Sequence, residues 1–201
     1  MSSDSLRLTV RQLQCERDER VLFRDLAFQA RAGEIWQITG ANGAGKTTLL
    51  RILVGLHGFY EGQVRWHSPL APDLLYLGHQ PGVREELTAR ENLRFSAALN
   101  NQPGDVDAAL DAVDLYGFED VPAAHLSAGQ KRRVALARLW LAPKKVWVLD
   151  EPYTAIDQNG VARLDQRIRD AAGNGTLVLY TSHHRVGDDV RRLHLGTEAP
   201  A

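Results

Sequence analysis

The sequence predicts an α/β fold built around a mostly parallel sheet. Apolar strand candidates alternate with segments of helical periodicity, an order in which helices connect parallel strands. A glycine-rich loop stands between one of these strands and the next helix. A long helical stretch, residues 79–141, interrupts the alternation and is predicted to lie beside the sheet as an insertion. With 201 residues, 44% of them apolar, the chain is long enough to bury a core as one domain.

The first part of the chain is rich in predicted strands. Apolar and polar residues alternate in Leu6–Leu13, which predicts the first strand, and two short strands are predicted at Val21–Phe23 and Leu26–Ala30. Glu34–Thr39 predicts a buried strand that leads into the glycine-rich loop. After that loop, Lys46–Leu56 has helical spacing, with Leu49, Ile52, Leu53 and Leu56 on one face.

Helices dominate the middle of the chain, and strands return after residue 145. Thr88 stands three residues before Glu91, a spacing that predicts a capping box at the start of a helix. The further predicted helices are 88–99, 106–115, 127–141 and 157–172, and the further predicted strands are 63–66, 74–77, 146–149 and 176–182.

Charge and cysteine content exclude several classes of protein. The 24 Lys+Arg are balanced by 25 Asp+Glu, which argues against a chain that wraps nucleic acid. The single Cys15 excludes a disulfide framework and an all-cysteine metal site. No segment reaches the roughly 20 apolar residues of a membrane span, and residues 1–7 are too polar for a signal peptide. We therefore expect a soluble, cytoplasmic chain without a nucleic-acid partner.

The glycine-rich loop fits the phosphate-binding pattern G-x-x-x-x-G-K-[ST]. Its glycines allow successive backbone N–H groups to point inward at an anion, and the following helix adds its positive N-terminal end. Lys46 can reach the β- and γ-phosphates of a nucleotide, and the Thr47 hydroxyl can ligate Mg²⁺. A glycine-rich turn without a ligand is the alternative, and the strand–loop–helix setting favours phosphate binding. The nucleotide-binding candidates here are Gly40, Ala41, Asn42, Gly43, Ala44, Gly45, Lys46, Thr47 and Thr48.

Two acidic residues end a later apolar strand, in the segment VWVLDE. In a parallel α/β sheet, this strand end and the phosphate loop lie at the same edge. Asp150 is then predicted to hold Mg²⁺ through water, and Glu151 to orient the water that attacks the γ-phosphate. The alternative is an ordinary strand end with solvated acidic side chains. The presence of the phosphate loop favours the catalytic interpretation.

The segment Leu126-Ser127-Ala128-Gly129-Gln130, followed by a long helix, resembles the signature L-S-G-G-Q of the ATP-binding cassette (ABC) ATPases. A simple helix cap by Ser127 is the alternative, but the order of phosphate loop, signature and acidic strand favours the resemblance. It implies the P-loop NTPase core of an ABC ATPase, with an early antiparallel β subdomain and an inserted helical subdomain. The single domain, residues 1–201, would divide into a core lobe (about 1–78 and 142–201) and a helical lobe (about 79–141).

The resemblance also implies roles for single residues. Gln80, in LGHQPG, matches the glutamine that joins the two lobes and senses Mg²⁺ and the attacking water. Asp157, in TAID, matches the loop that crosses to a partner subunit. His183, in YTSHH, matches the switch histidine that contacts the γ-phosphate, and His184 is the alternative. Ser127, Gly129 and Gln130 would contact the ATP held by a second copy of the chain.

The sequence departs from the family pattern at two positions. Ala128 stands where the family usually has glycine, which adds a methyl group near the phosphate site of the partner. Arg17 stands where the family usually places an aromatic residue that stacks on adenine. A guanidinium can stack on a base as well, and a solvated turn residue is the other interpretation of Arg17.

One phosphate loop and one signature make half of each ATP site, so the resemblance implies a head-to-tail homodimer that binds ATP and Mg²⁺. The closest resemblance is to the ATP-binding subunits of bacterial cytochrome c maturation (haem exporter) complexes, through ITGANGAGKTTLLRILVGL, LSAGQKRRVALARLWL and LDEPYTAID. It implies an ATPase with separate transmembrane subunits and haem-pathway partners, peripheral to the cytoplasmic face of the inner membrane. The alternatives are a subunit of a different ABC transporter, a soluble ABC-type assembly ATPase and a nucleotide-binding module without hydrolysis.

Overall fold

The structure is a computed structural model that describes residues 5–18, 20–100, 104–141 and 143–196. Residues 1–4, part of the polar start considered above, lie outside this range. The strands are β1 (Leu6–Arg17), β2 (Arg20–Arg31), β3 (Ile35–Gly40), β4 (Glu61–Trp66), β5 (Leu74–Leu77), β6 (Val146–Asp150), β7 (Leu177–Thr181) and β8 (Arg191–Leu195). The helices are α1 (Lys46–Leu53), α2 (Ala89–Leu99), α3 (Val106–Asp111), α4 (Ala128–Leu141) and α5 (Gln158–Gly173). None of these helices is both long and apolar enough to cross a membrane.

The described strands form two sheets. An antiparallel sheet has the order β2-β1-β4, and a parallel sheet has the order β5-β6-β7-β3-β8. Since parallel strands all end at the same edge, the loop after β3 and the acidic end of β6 lie near each other, separated by β7. The predicted α/β class and the early antiparallel subdomain are confirmed.

β6 and β7 are buried on both faces, as expected for the centre of a parallel sheet. Val146 and Val148 pack in a core shared with α1 and the antiparallel sheet. Trp147 and Leu149 face the opposite way, into a core shared with α4 and α5. The same strand then ends at Asp150, which is only 1% exposed. Burial of the preceding apolar residues thus fixes the position of this carboxylate.

The segment between β5 and β6 forms the predicted helical insertion. α2, α3 and α4 surround a third core, to which they contribute Leu93, Leu110 and Val134 respectively. α4 also contributes to the core behind the parallel sheet, so it is apolar on more than one face. Thr88 and the N3 residue of α2 form the predicted capping box. α4 therefore connects the insertion to the sheet.

Several boundaries differ from the prediction. β1 continues four residues beyond the predicted Leu13, to Arg17. β2 is one long strand, not two short ones, because Asp25 takes a left-handed φ of 49° without breaking the pairing with β1. α1 ends at Leu53, three residues early, where Gly55 adopts a φ of 76° suited to a helix C-terminus. α3 ends at Asp111. β8 was not predicted, because this edge strand, RRLHL, fully buries only Leu195.

Candidate nucleotide-binding site

A cleft of about 490 Å³ opens beside the phosphate loop. Its walls come from the turn between β1 and β2, the loop and first turn of α1, and the residues that follow β5 and β6. The lining residues are Arg17, Asp18, Arg20, Leu22, Asn42, Gly43, Gly45, Lys46, Thr47, Thr48, His79 and Glu151. The fold thus brings the phosphate-loop candidates, Arg17 and Glu151 to one opening.

The backbone of the phosphate loop depends on glycine. Gly40, Gly43 and Gly45 have φ values of 144°, 80° and 93°, which L side chains rarely adopt. A Cβ atom on Gly40 would lie 2.2 Å from the Leu195 carbonyl oxygen, and one on Gly45 would lie 2.9 Å from Leu22 Cβ. The loop is therefore closely packed between β8 and β2, with the N-terminus of α1 directed at the cleft. This arrangement is suited to a phosphate group.

Lys46 lies across the phosphate loop. Its Nζ donates hydrogen bonds to the carbonyl oxygens of Gly40, at 2.8 Å, and Ala41, at 3.1 Å. The ammonium group is thus held where a phosphate in the loop would compete for it as an acceptor. Thr47 and Thr48 follow in the first turn of α1 and line the same cleft.

The acidic pair at the end of β6 is held by β7. Thr181 Oγ1 donates to Asp150 Oδ1 at 2.7 Å and accepts from the Glu151 backbone N–H at 2.8 Å. Asp150 Oδ2 is buried and has no hydrogen-bond partner among the described residues. Glu151 has a left-handed φ of 48°, which is strained for a non-glycine residue, and its side chain lines the cleft.

The donor set at this strand end fits a magnesium ion. Asp150 Oδ2, which has no donor in residues 5–18, 20–100, 104–141 and 143–196, requires a cation or an ordered water to offset its desolvation. The Thr47 hydroxyl lines the neighbouring cleft, and Mg²⁺ prefers such oxygen ligands together with water and phosphate. Asp150 and Thr47 therefore have the chemistry that Mg²⁺ needs.

Arg132 of α4 reaches the same strand end, and sequence reasoning did not single it out. It is 5% exposed and donates to four backbone carbonyls, two of them those of Asp150 and Glu151. Burial lowers the pKa of its guanidinium, while the charges of Asp150 and Glu151 act in the opposite direction. The sequence does indicate that Arg132 is buried, because it lies on the same i, i+4, i+7 helical face as the buried Leu136 and Leu139.

The signature residues lie outside this cleft. Ser127 precedes α4, where its Oγ accepts from Gln130 N at 3.2 Å and its own N–H donates to Gln130 Oε1 at 2.9 Å. Ser127 is thus a helix cap, as the alternative interpretation expected, yet it is exposed at the surface. Gly129 abuts Ala155, since an added Cβ would lie 3.0 Å from that carbonyl oxygen. Asp157 caps α5 through Gly160 N at 2.7 Å.

The remaining candidates differ in their surroundings. Gln80 is exposed and does not line the cleft, whereas the adjacent His79 does. His183 is exposed. His184 is bound elsewhere, because its Nε2 lies 2.9 Å from Asp165 Oδ2 and its ring centroid lies 4.4 Å from that of Tyr153.

Two arginines line the end of the cleft near the β1–β2 turn. Arg17 forms an exposed ion pair with Asp18, with 3.3 Å between Nε and Oδ2. Arg20 lies closer to the phosphate loop, because a Cβ atom on Gly43 would lie 3.8 Å from its Nη1. Sequence reasoning did not consider Arg20, since no motif includes it.

Comparison with known proteins decides the family. Residues 23–154 match the ABC transporter family. The cytochrome c biogenesis ATP-binding export protein CcmA of Alcanivorax borkumensis is 73% identical over 94% of this chain and 88% of its own length. The chain belongs to the CcmA family of ABC ATPases. The CcmA protein of Salmonella typhi is 54% identical over 94% of the chain and 96% of its own length, and that of Escherichia coli O157:H7 is 50% identical over the same shares.

Solved ABC structures share the fold of this CcmA-family member. The dimeric post-hydrolysis state of an ATP-binding cassette bound to ADP and Pi superposes with a TM-score of 0.81, at 21% identity over 94% of both chains. The ATP-binding subunit of another ABC transporter gives a TM-score of 0.76, at 24% identity over 88% of this chain and 79% of its own. The chain is an ABC-type ATPase, as its sequence predicted.

Proposed function

We propose that the chain hydrolyses ATP in the cleft beside the phosphate loop and thereby drives export across a membrane for cytochrome c biogenesis. The observation that carries the proposal is the meeting of Lys46, Thr47 and Glu151 in one cleft, beside Asp150 Oδ2, which has no partner in the described part of the chain. A positive anchor, a hydroxyl ligand and a carboxylate base are the groups that phosphoryl transfer to water requires.

Each residue has a defined task in this mechanism. Lys46 exchanges its bonds to the loop carbonyls for the β- and γ-phosphate oxygens and neutralises the charge that develops there. Glu151 orients the attacking water and accepts its proton. Thr47 and Asp150 would hold Mg²⁺, and Gln80 is proposed as the residue that senses the ion. When bound, Mg²⁺ supplies further charge neutralisation at the phosphates.

The second half of each site comes from another copy of the chain. Ser127, Gly129 and Gln130 do not line the cleft of their own chain, which supports a role at the ATP of a partner. We propose a head-to-tail homodimer in which these residues close over the partner's γ-phosphate. Asp157 lies next to the signature helix, with its Oδ2 3.8 Å from Arg133 Nη1, and would border the same interface.

His183, and not His184, is proposed as the switch residue at the γ-phosphate. His184 is engaged by Asp165 of α5, and its backbone N–H donates to Ser182 Oγ at 2.9 Å. Gln37 of β3 donates to the carbonyls of Ser182 and His184, so the backbone on both sides of His183 is held. The exposed imidazole of His183 is then the one available to a ligand.

We infer one ATP-binding domain over residues 1–201, with a core lobe of about 1–78 and 142–201 and a helical lobe of about 79–141. The separate core of α2, α3 and α4 supports this division. The CcmA relatives support a place in cytochrome c biogenesis. Within that role we propose haem as the exported or released molecule, separate transmembrane subunits, and attachment at the cytoplasmic face of the plasma membrane.

Co-purification in mild detergent tests this assignment. Mass spectrometry of the proteins that accompany the chain should find membrane subunits and a haem-handling membrane protein. Recovery with unrelated permeases would assign the chain to a different ABC transporter, and absence from membranes would favour a soluble assembly ATPase. Lys46→Ala serves as the control for nucleotide binding, because it should lose ATP and keep the same membrane partners.

A further inference from the structure

We propose that Arg132 is a positioning residue that transmits occupation of the signature to the hydrolytic carboxylate, Glu151. The inference rests on the proposed homodimer, in which Ser127 contacts the partner's ATP. Arg132 lies on the signature helix α4, five residues after Ser127. It touches neither ATP nor water in this scheme and acts through the backbone of other residues.

The two terminal nitrogens of Arg132 hold two different segments. Nη1 donates to the carbonyl oxygens of Gly78, at 3.2 Å, and His79, at 3.4 Å, immediately before Gln80. Nη2 donates to the carbonyl oxygens of Asp150, at 2.8 Å, and Glu151, at 2.6 Å. One planar, charged group thus spans the loop after β5 and the acidic end of β6.

The peptide at Glu151 is held at both ends. Its N–H donates to Thr181 Oγ1, and its carbonyl accepts from Arg132 Nη2. These two bonds maintain the left-handed φ of 48° at Glu151. A strained backbone of this kind persists only where the surroundings over-determine it, and it directs the attached side chain. Loss of the Arg132 bond would therefore release the Glu151 side chain from the cleft.

Arg132 contacts carbonyl groups and leaves the carboxylates free. Asp150 Oδ2 keeps no partner among the described residues although the guanidinium bonds to the same residue's carbonyl. The charge therefore does not occupy the position proposed for Mg²⁺. Ser127 and Arg132 are separated by about one and a half helical turns, or roughly 7 Å. Because this part of the helix is rigid, a displacement of Ser127 also displaces Arg132.

The test compares Arg132→Gln and Arg132→Lys with Arg167→Gln in the full-length chain. Arg167 is a matched control, because it is a partly buried arginine that bonds a backbone carbonyl, that of Leu139, and it lies away from the cleft. The measurements are the Kd for a fluorescent ATP analogue, steady-state kcat and KM, the Hill coefficient for ATP, and the Tm.

For Arg132→Gln we expect a Kd within about threefold of wild type, since the phosphate loop is untouched, and a kcat at least about tenfold lower. The Hill coefficient should fall toward 1, because the two sites lose their connection. Arg132→Lys should behave like Arg132→Gln, because one ammonium group cannot span both segments. This variant keeps the positive charge, so it distinguishes the bridging role of Arg132 from the effect of its charge. Arg167→Gln should lower the Tm and leave kcat and the Hill coefficient at wild-type values.

Wild-type kcat and Hill coefficient in either Arg132 variant would overturn the inference. So would losses of kcat and Tm in Arg167→Gln that equal those of Arg132→Gln, because the role would then be structural. A wild-type chain that hydrolyses ATP without cooperativity would refute the coupling between sites as well. A wild-type chain that does not hydrolyse ATP at all would instead refute the proposed function, so the two failures are distinguishable.

Discussion

Thr181→Val removes a hydroxyl that serves two bonds at the acidic strand end and keeps the shape of the side chain. Thr181 is fully buried. The hydroxyl donates to Asp150 Oδ1 at 2.7 Å and accepts from Glu151 N at 2.8 Å. In the variant, the buried Asp150 carboxylate would have no side-chain hydrogen bond to any described residue, since Oδ2 has none already.

Loss of these two hydrogen bonds lowers the free energy of unfolding of the variant. A charged hydrogen bond contributes about 1.5–3 kcal/mol, and an orphaned backbone N–H costs about 1–3 kcal/mol, so the variant should lose about 2.5–6 kcal/mol of its free energy of unfolding. For a chain of this length, each kcal/mol lowers the Tm by about 2–4 °C, which gives a decrease of at least about 5 °C. The kcat should also fall by about tenfold or more, because the Glu151 peptide loses one of its two anchors.

Thr176→Val is the matched control for this experiment. Thr176 precedes the same strand, is nearly buried, and donates one neutral bond to the Lys144 carbonyl oxygen at 2.8 Å. The control should cost about 1 kcal/mol and leave kcat unchanged. Differential scanning calorimetry and a phosphate-release assay measure both quantities. A Thr181→Val variant that has the Tm of the control and hydrolyses ATP at the wild-type rate would show that the Thr181 hydroxyl does not hold the acidic strand end.

Further substitutions test the loop, the signature and the switch. Gly40→Ala should cost about 3 kcal/mol or more in calorimetry, because its Cβ would overlap the Leu195 carbonyl at 2.2 Å; a wild-type Tm would contradict this packing. Ala128→Gly should change kcat by less than about tenfold, since Ala128 is exposed, and a larger change would mean that the methyl group regulates turnover. His183→Ala should lower kcat at an unchanged Tm, whereas His184→Ala should mainly lower the Tm; the reverse pattern would exchange their proposed roles.

The sequence predicted the phosphate loop and the acidic strand end because each is a continuous segment whose chemistry is local. It also predicted the capping box at Thr88, which depends on residues three positions apart. By contrast, Arg132 bonds to carbonyls as far as 54 positions away, at Gly78, so only the packing of α4 on the sheet reveals it. Thr181 likewise meets Asp150 only because β6 and β7 are neighbours.

The predicted strand boundaries were wrong where the preference of the local sequence differs from the pairing that the tertiary structure provides. β8 has too few apolar residues to be recognised, and it forms because β3 offers it a parallel partner along Trp36–Gly40. β2 continues through Asp25 because the bulge is absorbed by pairing with β1. The roles of Gln80, Asp157 and Arg17 stay predictions, since they concern a nucleotide or a second copy of the chain.

Two copies of the chain are proposed to share their ATP sites head to tail. Glu151→Gln retains the shape of the side chain and removes the carboxylate that activates water, so ATP should remain bound and hold the two copies together. Size-exclusion chromatography with light scattering, with and without ATP and Mg²⁺, measures this directly. With shared sites, the variant should be dimeric with ATP, monomeric without it, and nearly inactive. A variant that stays monomeric with saturating ATP, or that hydrolyses ATP at the wild-type rate, would contradict it.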